Sequence, residues 1–322
     1  MTGKRDWSRS RHRFGLALLG LLSLTGPAWG DAHGPAFGYS TTVLGVGDIS
    51  IELAIMRRLG TTMLGPEVSY GLRQNLQLSV SAPFHVNHGE HPVGRFDPLM
   101  PGVPAVEGMA AWRVYHKLSG VATRNEGTLF GGFSATTQDL PRTDGRPLQQ
   151  APGFYGAGAV ARITRRYYVS AGAGYEYFGT WNSGDLDRQS STFLSSFVVG
   201  WRPPAFDRDY PKPDVRFFLE TTGDWVGQAS RDPAQNTGGP PPPPHNHGYR
   251  PAAAQSGGGA VVLPNSGGSG IFSGPSGLFT YKNMGFQGGM QFALRDQRNG
   301  TQPAERYRVV IGVSYFFLGG KK

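Results

Sequence analysis

The sequence predicts an all-β fold: a transmembrane antiparallel β-barrel of about twelve strands that follows an N-terminal signal peptide. Three observations carry this expectation. Apolar residues recur at every second position in segment after segment. No apolar run beyond the first thirty residues approaches the roughly 20 residues that a membrane-spanning helix needs. Short and long connections alternate between the periodic segments.

Residues 1–30 read as the signal. Lys4, Arg5, Arg9, Arg11 and Arg13 make a basic start, Phe14 to Thr25 is apolar, and Ala28 and Gly30 supply the small residues of a cleavage site. The mature chain is then 31–322, which suits one barrel. The formal charge of +9 falls to about +5 once the basic start and Asp6 are removed. No basic block with interleaved aromatics remains, which excludes a nucleic-acid partner. With no cysteine, neither disulfides nor thiolate chemistry is available, and the composition suits export through an oxidising compartment.

The last strand is the clearest. Tyr307, Val309, Ile311, Val313, Tyr315 and Phe317 alternate with Arg308, Gly312 and Ser314, giving an apolar face with aromatic ends. The same pattern recurs at Leu76 to Phe84, Tyr167 to Tyr177, Met284 to Leu294, Ile49 to Ile55 and Val215 to Leu219. Weaker segments complete strands near 48–58, 62–73, 76–86, 107–118, 128–138, 153–164, 167–178, 190–201, 213–226, 269–280, 283–295 and 304–317. An even count with long loops at one end is the plan of an outer-membrane barrel, and closure satisfies every backbone amide in lipid. The loop 226–269, with Pro240 to Pro244 and a Gly/Ser/Ala-rich stretch, cannot build a strand ladder and is expected to be a disordered external loop.

Three stretches resemble the outer-membrane family named for the MetA pathway of phenol degradation. They are Gly45 to Glu52, Leu64 to Leu72 running into Leu76 to Phe84, and Asn299 to Gln302 followed by Tyr307 to Val313. The resemblance implies a porin-like transporter for small aromatic or other hydrophobic compounds. It carries no catalytic residue across. Phe317 stands in for the terminal aromatic that addresses such barrels to the assembly machinery, although Leu318 to Lys322 extend beyond it.

Residues expected to line the lumen are Glu52, Glu67, Arg113, Arg162, Glu176, Arg216, Glu220 and Arg308. Both signs are equally represented, so the lumen is expected to be neither a cation nor an anion filter. Such charges either brace the wall in pairs or line a conduction path. His85, His88 and His91, with His245 and His247, are candidate ligands of a weak metal site in external loops, against the plainer reading of solvated polar residues. Neither Ser119 near His116 nor Ser195 and Ser196 sits in a nucleophile motif, so no catalysis is expected. Gly172-Ala173-Gly174 and Gly156-Ala157-Gly158 lie within strands with no following helix, and read as small residues that let a crowded wall curve.

The expected function is passive transport of a small-molecule solute across the bacterial outer membrane, with lipid around the barrel and no cofactor. The alternative is a structural or surface-interaction barrel with a filled lumen.

Overall fold

A computed structural model describes residues 34–58, 61–87, 105–120, 122–136, 140–141, 147–148, 153–178, 191–206, 212–227, 230–231, 261–262, 267–300 and 304–319. Residues 1–30, expected from the sequence to be a signal peptide, and most of the loop 226–269 lie outside the described residues.

Twelve antiparallel strands close into a barrel. They are β1 (Ile49–Arg58), β2 (Thr61–Arg73), β3 (Leu76–Ser81, resuming as Phe84–Asn87), β4 (Ala105–Gly120), β5 (Thr123–Thr136) and β6 (Gly153–Ile163). The series continues with β7 (Tyr167–Phe178), β8 (Thr192–Trp201), β9 (Asp214–Val226), β10 (Gly268–Tyr281), β11 (Met284–Arg298) and β12 (Tyr307–Phe317). Each strand pairs with its sequence neighbours, and β1 pairs with both β2 and β12, so no edge is left open. Two-residue ladders, Leu140–Pro141 with Pro147–Leu148 and Ser230–Arg231 with Val261–Val262, stand apart from the wall.

Tight turns at 74–75, 164–166 and 282–283 share one end with both barrel termini, and apart from 202–213 the longest stretches between strands join the other end. In outer-membrane barrels the turn end faces the periplasm and the loop end faces outward. The strand β5 begins at Thr123 rather than near 128, and its extra turn-end residues include Arg124 and Glu126. β3 breaks at Ala82-Pro83, where proline cannot donate to the ladder.

The exterior is apolar in the middle and aromatic at its ends. Across β7, β8 and β9 the register sets Tyr167, Trp201 and Phe217 side by side at the turn end, and Tyr175, Phe193 and Trp225 side by side toward the loop end. Trp201 and Phe217 stack at 6.3 Å, and Phe193 meets Trp225 at 5.5 Å. The two rows lie eight residues apart along β7, roughly 27 Å of extended chain. That matches an apolar band of about 25 Å in a tilted strand.

A bulge changes which residues enter the lumen late in β11. Between Ile271 and Phe272 of β10 the partner jumps from Arg295 to Ala293, so Leu294 is left over. Both Leu294 and Arg295 are exposed, whereas Asp296 and Arg298 turn inward. One extra residue reverses the facing of all that follow. Arg295, set on the polar face by simple alternation, therefore faces out.

Candidate functional site

The lumen is occupied by the chain's own N-terminal segment. Residues 34–47 form no strand, yet Phe37, Tyr39, Thr41 and Val43 are buried at alternate positions. The backbone amides of Ala36, Phe37 and Gly38 donate to the Glu220 carboxylate at 2.8, 2.8 and 2.7 Å, and the Ser276 hydroxyl donates to the same group. The Tyr39 amide donates to Ser196 Oγ at 3.2 Å. The Thr41 hydroxyl donates to Glu126, and its carbonyl accepts from Thr128. The Leu44 amide donates to Gln77, and the Gly47 amide to the Gly71 carbonyl. The segment thus runs from the middle of β9 across β8 and β5 to the turn end of β2, where it enters β1.

Small residues in the wall make room for it. A Cβ at Gly172 would lie 2.7 Å from the Tyr39 ring, one at Gly174 2.5 Å from its hydroxyl, and one at Gly289 2.6 Å from the Phe37 ring. The glycines of β7 therefore receive a side chain rather than serve curvature alone. Gly71 is equally constrained: a Cβ there would sit 1.8 Å from the Gly45 carbonyl oxygen.

Of the expected lumen residues, Glu52, Glu67, Arg113, Glu176, Arg216, Glu220 and Arg308 point inward. Arg162 does not. It lies on the outward face of β6 with Val160, between the inward Ala161 and Ile163, one residue from the turn end. A long side chain there reaches the headgroup layer, so charge alone misplaces it. His85 lies on β3, and His88, His91, His245 and His247 lie outside the described residues. Among the described residues no cluster of three or more His, Asp or Glu forms a metal-binding group.

The inward charges fall into distinct groups along the barrel. Glu52 and Glu67 are direct cross-strand partners beside a lumen cavity of about 170 Å³ that Tyr39, Gln77 and Tyr155 also line. Gln287 donates to Glu52 at 2.7 Å and Ser69 to Glu67 at 2.9 Å. Glu176, fully buried, is the cross-strand partner of Tyr155.

At the loop end a second group of charged side chains is buried. Arg58, Arg298 and Arg308 meet Asp224, Asp296 and Glu305, with every side chain at most 6% exposed. Arg58 and Arg308 each hold Glu305 at 2.8 to 2.9 Å, and Arg308 lies 3.6 Å over the Phe272 ring. Glu305 stands just before β12. Burial would raise its pKa, but the guanidiniums of Arg58 and Arg308 more than reverse this and hold it below the usual carboxylate value. Alternation could have placed Arg58 and Asp224 inward, whereas Asp296 and Arg298 were hidden by the bulge and Glu305 by its loop.

At the turn end Glu126 is a hub, 3.3 Å from Arg124 and 3.5 Å from Arg113, with His116 at 3.9 Å. Asp214 bridges Arg202 and Arg216 at 2.7 and 2.8 Å.

A search with this fold finds the COG4313 outer membrane channel from Pseudomonas putida F1, at a TM-score of 0.54 and 12% identity over 85% of this chain and 97% of that one. The two chains share the fold of a closed antiparallel β-barrel. Looser superpositions are with the NanC porin, TM-score 0.43 and 10% identity over 83% and 98%, and with LpxR from Salmonella typhimurium, TM-score 0.44 and 10% identity over 83% and 100%. Neither of these bears on function. No protein-family model and no curated sequence matches the chain. The likeness to the MetA-pathway family therefore rests on its three stretches alone.

Proposed function

We propose that the protein is a narrow outer-membrane channel for passive movement of small solutes, with residues 34–47 as its occluding element. The observation that supports this reading is how the segment is held. It joins no strand ladder and is anchored through side chains such as Glu220, Ser196 and Gln77, so it can move without breaking the wall. The three family-like stretches support small aromatic or other hydrophobic compounds as cargo. The reading assigns no catalysis and no cofactor.

A structural barrel with a filled lumen is the second reading, favoured by the buried charge group at the loop end. Planar-bilayer recording separates the two. The channel reading expects discrete current steps from the purified protein that change in size when Arg216, beside the turn-end mouth, becomes glutamine. A bilayer that stays silent over a wide voltage range would favour the filled barrel.

A further inference from the structure

On the outside of the wall, at the loop end, three adjacent strands each carry an exposed arginine. Arg57 is the last outward residue of β1, Arg295 is turned outward on β11 by the bulge at Leu294, and Arg306 immediately precedes β12. The register brings them together. Arg57 lies opposite Val309, and the Arg306 carbonyl accepts from the Ala293 amide, two residues before Arg295. Arg306 and Val309 are three residues apart, roughly 10 Å of strand, a gap that two extended arginine side chains span. Among the described residues none of the three arginines forms an ion pair. The acids of this end, Asp224, Asp296 and Glu305, lie inside the bore with Arg58, Arg298 and Arg308. Arg295 donates to Gln297, a neutral partner. The connections bring no further acid, since Leu59-Gly60 joins β1 to β2 and Asn299 to Ala304 leads from β11 to Glu305. Toward the turn end the same strands present Ile55, Met290, Phe292 and Ile311 outward and exposed.

A cationic group above an apolar strip fits an amphiphile with a phosphate at its head. Arginine is costly against hydrocarbon, whereas at the headgroup layer its guanidinium makes paired, charge-assisted hydrogen bonds with phosphate oxygens. A free phosphate would leave the apolar strip unused, and a neutral lipid would leave the arginines unused. Without the extra residue at Leu294, simple alternation would set Arg295 inside the bore. We propose that the outer face of β11, β12 and β1 binds the phosphate of an anionic lipid in the external leaflet, toward which the loop end of such barrels is turned. The site goes beyond the channel reading, because it lies outside the wall and requires no current.

Native mass spectrometry of the purified protein, released from detergent micelles, tests it with lipid A as probe. One retained lipid A is expected, with fully dephosphorylated lipid A weaker by about tenfold or more. The triple variant Arg57→Gln/Arg295→Gln/Arg306→Gln is expected to weaken lipid A by about tenfold or more. Arg162→Gln, the same change of charge on the outward face at the turn end, is expected to bind as the parent does. If the triple variant fails to fold, Arg295→Gln alone, at an exposed position, keeps the test valid and is expected to weaken binding in the same direction. The proposal is overturned by absent retention of lipid A, by equal retention of the dephosphorylated form, by folded variants that bind as the parent does, or by an equal loss in Arg162→Gln. Lipid A retained by a protein that is silent in planar bilayers would keep this inference and remove the channel reading.

Discussion

Replacing Glu220 with alanine is expected to release residues 36–38 from the wall and raise single-channel conductance severalfold while the barrel stays folded. The carboxylate accepts from three consecutive backbone amides and from Ser276, and it is fully buried. Each buried donor left without an acceptor costs about 1–3 kcal/mol. Three such amides on a segment with no ladder of its own favour withdrawal over staying orphaned in the bore. The main-chain pairing of β9 with β8 and β10 is independent of this side chain. Bilayer recording reads the conductance, and heat-modifiable migration on gels reports the intact barrel. Glu220→Gln, which keeps one carbonyl acceptor, is expected to fall between parent and Glu220→Ala.

The second large effect is on stability. In Asp224→Ala, Arg58, Arg298 and Arg308 lose a shared carboxylate and remain buried beside Asp296 and Glu305. Breaking a buried ion pair from one side costs about 3–5 kcal/mol. The variant is therefore expected to unfold at a lower urea midpoint in micelles, read by tryptophan fluorescence. Removing the same charge from an exposed pair would change little. The pH dependence has a definite sign. Because Glu305 is held below its ordinary value, its contribution is present above the usual carboxylate pKa of about 4.3 and is lost as pH falls through the lowered value. An acid titration of the parent is expected to leave this contribution intact at neutral pH and to lose it only below that range.

The wall was legible in the sequence because a membrane barrel writes its two environments at alternate residues. Tyr167 to Tyr177 and Tyr307 to Phe317 needed only the period of two to be placed, and the structure sets both with aromatics outward. The content of the lumen was harder to read. Phe37, Tyr39, Thr41 and Val43 also alternate, but they precede the first strand of a wall already even in number, so their period of two gives no place for them. Their clue lay elsewhere, in Gly172, Gly174 and Gly289, inward positions too small to fill a wall by themselves. Polarity alone does not place Arg162, because a long cation at a strand end can turn toward headgroups. The loop-end charge group escaped because a single bulge at Leu294 reverses alternation just where Asp296 and Arg298 join it.

Residues 34–47 lie inside the barrel, with Tyr39 against β7. The chain has no cysteine, so two introduced thiols report without background. A Cβ at position 172 would stand 3.1 Å from the Tyr39 Cβ, close to the roughly 3.5–4.5 Å range of disulfides. The double variant Tyr39→Cys/Gly172→Cys is expected to form an intramolecular bond under mild oxidation of the folded, membrane-inserted protein, seen as loss of both free thiols. Thiols that both stay free and react with a water-soluble maleimide would place the segment outside the lumen and contradict the account.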